Sequence, residues 1–297
     1  MPLSEYFQKI TAETNQWLDR LVPPADSYPP LIHEAMRYSL FAGGKRMRPM
    51  LAVVSCEAAG GGRQAVMPFA AALEIIHTYT LIHDDLPALD DDDMRRGKPT
   101  CHARFGEATA ILAGDGLLTL AFRILADRSL FPGVGADTLC DLARETAEAV
   151  GSQGTIGGQV VDLEFERAAE PNSVALEYIH THKTGMLIAM SARGGGLIAG
   201  AREDELKALT EYGRHLGLAF QIIDDILDLE GDEKTLGKKI GADLRKEKMT
   251  YPSVAGVKAS REKAAELIDR ALELAGIFGP ASQHLADLAR YVAARSL

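Results

Sequence analysis

Three features of the chain predict an all-α fold. Long segments rich in Ala, Leu, Glu and Arg recur, their apolar residues fall at intervals of three and four, and strand-like alternation is almost absent. Connections are short and punctuated by Gly or Pro, as in "AAGGGR", "FPGVGAD", "AGARED" and "IFGPAS", with no low-complexity linker. The expectation is one domain over residues 1–297: a single bundle of roughly ten helices around a central cavity.

The helices follow in order. In "LIHEAMRYSLFAGG" one opens just after Pro29 and Pro30 and stops at Gly43 and Gly44, where glycine takes the left-handed cap conformation. Apolar periodicity predicts further helices over Pro49–Ala59, Val66–Leu86, Gly106–Ser129, Ala136–Arg167, Ser173–Ala199, Glu203–Leu229 and Pro252–Gly276. Val66–Leu86 carries Asp84 and Asp85 in its last turn, and Pro87 breaks it. Asp90, six residues beyond Asp84, would point well away on an uninterrupted helix. A kink or short loop at Leu86–Leu89 is therefore expected to fold Asp90 back.

A chain of 297 residues, 46% of them hydrophobic and 25% charged, is long enough to bury a substantial core. Its net charge of -10 argues against nucleic acid as a partner. Basic residues gather instead in three short clusters, Lys45 to Arg48, Arg95 to Lys98, and Lys238 with Lys239, which suit a small anion. The N-terminal stretch lacks the order of a signal peptide, and no apolar run approaches bilayer length. A cytoplasmic protein without stable membrane insertion is expected. Cys56, Cys101 and Cys140 are widely spaced with no C-x-x-C pair, so neither a disulfide framework nor a thiolate metal site is indicated.

Two acidic motifs carry the chemistry. "DDLPALDDDD" puts six aspartates into ten residues, directly followed by Arg95, Arg96 and Lys98. An acidic run after a helix is commonly a solvated turn. A second D-D-x-x-D, in "FQIIDDILD", sits on an otherwise apolar helix and shifts the balance toward a shared function. There Asp224 and Asp228 are four apart, about 6 Å from each other on one face, and Gln221 lies one turn earlier. Like charges so placed oppose a helix unless they face water or a cation. The spacing differs from a Ca²⁺ loop, and carboxylates without Cys or dense His favour Mg²⁺, which keeps much of its water and takes one or two carboxylates plus substrate phosphates. Acids beside basic clusters thus point to a metal-bound polyphosphate.

The pair "DDLPALD" and "DDILD", with "GGKRMRP" and "MRRGKPT", resembles the chain-elongating isoprenyl diphosphate synthases, nearest the bacterial farnesyl type, over about Phe41 to Pro252. The resemblance implies head-to-tail condensation of isopentenyl diphosphate with dimethylallyl and geranyl diphosphate, and an assembly as a homodimer. It implies metal binding by Asp84, Asp90 and Asp224, three Mg²⁺ ions in all with Mn²⁺ as the alternative, and a catalytic set of Asp84, Asp85, Asp90, Lys183, Asp224 and Asp225, with Asp228 supporting. Arg95, Lys183, Thr184, Gln221 and Lys238 would hold the allylic diphosphate. Lys45, Arg48, His77 and Arg96 would hold isopentenyl diphosphate without metal. "GGQVVD" is a further family-like motif, its glycines Gly157 and Gly158 read as close helix packing and Asp162 as support behind the site.

Product length would be set by the wall near Tyr79 and Thr80, with the large Tyr79 five residues before Asp84 favouring farnesyl diphosphate. Geranyl or geranylgeranyl diphosphate as main product is the alternative. So is a non-catalytic partner subunit, although such a chain would tolerate loss of Asp84, Asp224 or Lys183, and all are present. A class I terpene cyclase would be expected to replace the intact "DDILD". The C-terminal "AARSL" offers only Arg295 where relatives often carry a more basic tail.

Overall fold

Helix α4, Arg63–Asp84, is apolar on nearly every face, with Val66 to Ile76 buried without interruption. A helix of that composition must lie inside a core, covered by others. In the computed structural model, which describes residues 3–165, 173–230 and 250–294, it is. The chain divides into two compact units, Met1–Val53 with Arg63–Ala143 and Val54–Gly62 with Arg144–Leu297, each described here by itself. The fold is all-α, with about 11 helices of substantial length among the described residues.

In the first unit, α1 (Leu3–Leu21), α2 (Pro30–Leu40) and α6 (Glu107–Ala126) pack on α4 or on one another. Helix α5 (Cys101–Phe105) precedes α6, while α3 (Met47–Ala58) and α7 (Ala136–Val150) each carry residues of both units. Helix α1 was not expected, but Tyr6, Phe7, Ile10, Thr14 and Leu18 line its buried stripe at helical spacing. A two-residue ribbon, β1 (Met94–Arg95) against β2 (Lys98–Pro99), turns through Arg96 and Gly97 at φ 52° and 73°. Positive φ at both central positions is what a tight hairpin turn requires.

One ion pair underlies this unit. Arg46, at φ 50° just before α3, donates through Nη1 to Glu74 Oε1 of α4 at 2.6 Å, through Nη2 to the Leu40 carbonyl at 2.8 Å and through Nε to Asn15 Oδ1 at 3.1 Å. The two charged side chains are only 2% and 3% exposed. The guanidinium thereby ties α1, α2 and α4 to the loop that carries Lys45 and Arg48.

The second unit centres on the 28-residue α11 (Glu203–Glu230), against which pack α10 (Met186–Ala199) and α13 (Val257–Ala275). Its remaining elements are α8 (Thr155–Phe165), α9 (Ser173–Ile179), a π-helical stretch His180–Gly185, α12 (Tyr251–Ala255) and α14 (Gln283–Ala293). Helix α14 was also unexpected, and buries Leu285, Leu288, Ala289 and Val292.

Several expected boundaries are corrected. The segment Ala136–Arg167 is two helices, because the Gly151 N–H returns to the Ala147 carbonyl and the Gly154 N–H to the Gly151 carbonyl, making a turn. Ser173–Ala199 runs through the π-helical turn, and Pro252–Gly276 is interrupted at Gly256, φ 82°. Helix α2 ends at Leu40, where the Phe41 N–H donates to the Arg37 carbonyl and the Ala42 N–H to the Ser39 carbonyl, so Gly43 and Gly44 are not its cap. Two helices are long and apolar enough to span a bilayer, α4 and α6, each at mean hydropathy 1.5, where none was expected. Their apolar windows are 78% and 44% buried, and α6 leaves Ile111 and Leu112 exposed.

Because Glu74 is the carboxylate that meets Arg46 inside the core, Glu74→Ala is expected to cost about 3–5 kcal/mol of stability by leaving a buried guanidinium charge unmatched. Denaturant melts check this, and a loss below about 1 kcal/mol would mean that the pair is not buried in solution.

Candidate active site

In the first unit the site grows from the end of α4. The residue before proline is steered out of the helical region, so α4 stops at Asp84 and Leu86–Leu89 make a turn. The Asp90 N–H then donates to the Asp84 carbonyl at 2.8 Å, and the Asp91 N–H to the Leu86 carbonyl at 3.1 Å, with Asp91 at φ 51°. This is the expected fold-back: it brings the Asp84 and Asp90 backbones into direct contact at one end of the helix. Both side chains are half-buried.

Asp85 points the other way. It is 3% exposed, and Arg95, delivered by the β1–β2 ribbon, grips it with Nε at 2.8 and 2.9 Å and Nη2 at 2.6 Å. Thr78, Ile82, Asp85, Arg95, Arg96 and Cys101 border one cavity. Arg96 donates to the Gly43 carbonyl, and a Cβ on Gly44 would lie 2.7 Å from its Nη1. Gly44 of "GGKRMRP" thus admits the guanidinium against bare backbone, and Gly43 supplies the accepting carbonyl.

Around His77 the cations converge. Burial holds its imidazole well below the usual value, and Arg48, Arg96, Arg95 and Arg46 each push the same way, so it is neutral at pH 7. Burial lowers Arg48 to about 10 against the pull of Glu74, with Arg96 adding to the decrease. Its Nε is enclosed and makes no hydrogen bond among the described residues. A cluster of guanidiniums with an enclosed donor is a built receptor for an oxyanion. Lys45 stands exposed beside it. Arg46 was not singled out from the sequence, although a lone glutamate within the apolar α4 signals that a cation must meet it.

Tyr79 is 5% exposed, packs edge-on to His83 at 5.7 Å, and its hydroxyl has no hydrogen-bond partner among the described residues. Burial, then Asp84, pushes this phenol up to about 12. Thr80 is half-buried and donates to the His77 carbonyl at 2.8 Å.

In the second unit α11 presents Asp224 half-buried, with Asp225 and Asp228 4% and 1% exposed. Lys183 and Thr184 lie in the π-helical turn, a local widening that often accompanies function. Lys183 Nζ donates to Asp162 Oδ2 of α8 at 2.6 Å. A Cβ on Gly158 would come within 2.2 Å of the Lys183 nitrogen, so this glycine does provide close helix packing. Thr184 Oγ1 donates to Gln221 Oε1 at 3.1 Å, and Gln221 Nε2 to Asp225 Oδ1 at 3.0 Å. Asp225 Oδ2 accepts from the Tyr251 N–H at 2.8 Å and lies 3.4 Å from His180 Nε2. Burial holds His180 down to about 4, against Asp162 and with Lys183, leaving it neutral. His180 and Tyr251 escaped the sequence reading, since a π-turn breaks the 3.6-residue register that would have aligned His180 with α11. Lys238 and Arg295 lie outside the described residues.

Among the described residues no three or more His, Cys, Asp or Glu side chains form a protein-only metal cage. Half-buried carboxylates at Asp84 and Asp90 in the first unit, and separately at Asp224 in the second, have the exposure that suits an ion completing its shell with water and substrate oxygens.

Comparison with known proteins bears on this geometry directly. The chain is 46% identical over 256 residues, 86% of its length and 84% of the relative's, to the geranylgeranyl diphosphate synthase of Cyanophora paradoxa. It is 44% identical over 299 residues, 99% and 96% of the two lengths, to the farnesyl diphosphate synthase of Geobacillus stearothermophilus. The crystal structure of an FPP/GFPP synthase from Zymomonas mobilis superposes with a TM-score of 0.88 at 33% identity, covering 98% of each chain. Residues 29–277 match the polyprenyl synthetase family model, and the chain belongs to that family.

Proposed function

We propose that the protein is a Mg²⁺-dependent farnesyl diphosphate synthase, condensing isopentenyl diphosphate head-to-tail with dimethylallyl and then geranyl diphosphate. Chain-elongating prenyl transfer follows from the family. The observation that carries the finer reading is the division of charge in the first unit. Half-buried acids at Asp84 and Asp90 occupy the helix end, while the cluster of Arg48, Arg96 and His77, whose neighbouring Glu74 is paired with Arg46, has an enclosed donor to spare. One suits a metal-bound diphosphate and the other a metal-free one.

In this reading Asp84, Asp90 and Asp224 hold Mg²⁺, which supplies charge neutralisation to the leaving diphosphate. Arg95, Lys183 and Lys238 bind its remaining oxygens, while Asp85 orients Arg95 and Asp162 orients Lys183. The allylic carbon–oxygen bond breaks, the double bond of isopentenyl diphosphate adds to the cation, and a proton leaves to the departing diphosphate. Fixed cations act best where water is excluded, because the low dielectric strengthens each contact. Arg48, Arg96, Lys45 and neutral His77 hold isopentenyl diphosphate so that its double bond is presented to that carbon.

For product length, the buried Tyr79 five residues before Asp84 supports the farnesyl product. Geranylgeranyl diphosphate is the second reading, favoured by the identity to the Cyanophora synthase. A homodimer in the cytoplasm belongs to the same proposal, and Ile111 and Leu112 on α6 offer apolar surface for it.

Purified protein incubated with Mg²⁺, isopentenyl diphosphate and dimethylallyl or geranyl diphosphate should yield farnesol after dephosphorylation, read by chromatography. No elongated alcohol from either allylic substrate would reject the assignment. Asp84→Ala and Asp224→Ala should each leave helical circular dichroism intact and slow condensation by about 100-fold or more. Unchanged turnover in either would remove that residue from the metal set. Tyr79→Ala should shift the main product from farnesyl to geranylgeranyl diphosphate, and an unaltered distribution would place the length control elsewhere.

A further inference from the structure

Asp225 of "DDILD" is met by three nitrogens of its own unit. Gln221 Nε2 approaches one oxygen at 3.0 Å; the Tyr251 N–H, at 2.8 Å, and His180 Nε2, at 3.4 Å, approach the other. A carboxylate only accepts hydrogen bonds. It therefore compels Gln221 to turn its NH₂ toward α11's own next turn and its carbonyl oxygen toward Thr184. That orientation is fixed by the network rather than by the shape of the amide, whose two ends are nearly the same size. With Gln221 Oε1 facing it at 3.1 Å, the Thr184 hydroxyl hydrogen is committed to Gln221, and the hydroxyl lone pairs are left to face away from α11.

We propose that Asp225 is a positioning residue rather than a metal ligand: it sets the donor and acceptor sense of the Asp225–Gln221–Thr184 chain, and through it the groups that Gln221 and Thr184 offer the allylic diphosphate. The inference rests on the prenyl-transfer reading for its catalytic consequence, and on geometry alone for the chain itself. The burial of Asp225, 4% exposed beside the half-buried Asp224, and the direction of three donors onto its two oxygens separate its role from that of its neighbour. His180 and the Tyr251 backbone join the π-helical turn and α12 to the same carboxylate, so one side chain aligns three elements of the unit.

An isosteric exchange tests the sense of the chain. In Asp225→Asn the backbone N–H of Tyr251 cannot reverse, so Asn keeps its oxygen there and turns its NH₂ on Gln221. Gln221 must then flip, and the hydrogen on Thr184 reverses. Adding Gln221→Glu supplies an acceptor to that NH₂ and to the Thr184 hydroxyl, so every donor is met and Thr184 again donates, with unchanged volume and net charge.

The expected result is a loss of about tenfold in kcat for Asp225→Asn, the scale of one misdirected hydrogen bond, with KM for both diphosphates within about twofold. Half-saturating Mg²⁺ should be unchanged, and melting temperature in excess chelator should fall. The double variant should recover most of the metal-free melting temperature, whatever the new carboxylate does to diphosphate binding. A double variant whose metal-free melting temperature is no better than that of Asp225→Asn, or a tenfold rise in half-saturating Mg²⁺ for the single variant, would overturn the inference. If wild type fails to condense any substrate, the functional reading falls, while the melting cycle in chelator still decides the hydrogen-bond chain.

Discussion

Burying a carboxylate without a partner costs several kcal/mol, so each enclosed acid must be met by a cation or by N–H donors. Three of the deeper acids follow that rule: Glu74 with Arg46, Asp85 with Arg95, and Asp225 with two side-chain nitrogens and a backbone amide. Asp84, Asp90 and Asp224 are different in kind, being half-buried at or beside the same helix segments. The contrast between neighbours in sequence, Asp84 with Asp85 and Asp224 with Asp225, divides each D-D pair into one residue turned to the interior and one nearer the surface. A helix makes that division unavoidable, because adjacent residues project about 100° apart.

The basic side is built on the same economy of support. Arg46 takes no part in the proposed anion site, yet it anchors the loop from which Lys45 and Arg48 extend. Arg96 reaches its place because Gly44 lacks a side chain, and Arg95 because a hairpin turn of two positive-φ residues aims it back at Asp85. Burial keeps His77 neutral and lowers Arg48, and crowding the guanidiniums together adds to both effects. Such a cluster relaxes when it meets a multiply charged anion, so its repulsion is a store of binding selectivity.

Much of this was legible beforehand, and the reasons differ by feature. The helical class, the end of α4 ahead of Pro87 and the return of Asp90 follow from local rules that act within a few residues. The breaks at Gly151 and Gly256 did not stand out, since apolar periodicity runs on either side of each and a short turn leaves it nearly in phase. The π-turn at Lys183 was hidden for the same reason: one extra residue per turn leaves no compositional mark. The two unexpected helices, α1 and α14, carry clear apolar stripes and were recoverable. Partners such as Glu74 for Arg46 or His180 for Asp225 depend on packing between distant segments, which spacing along one chain does not encode.

Calorimetric titration of the two substrate classes, with and without Mg²⁺, tests the central claim most directly. If acids and cations divide the labour as argued, isopentenyl diphosphate binds with similar affinity in chelator and in Mg²⁺, whereas a non-ionising allylic diphosphate analogue binds only with the metal. Equal metal dependence for both ligands, or none for either, would contradict the account.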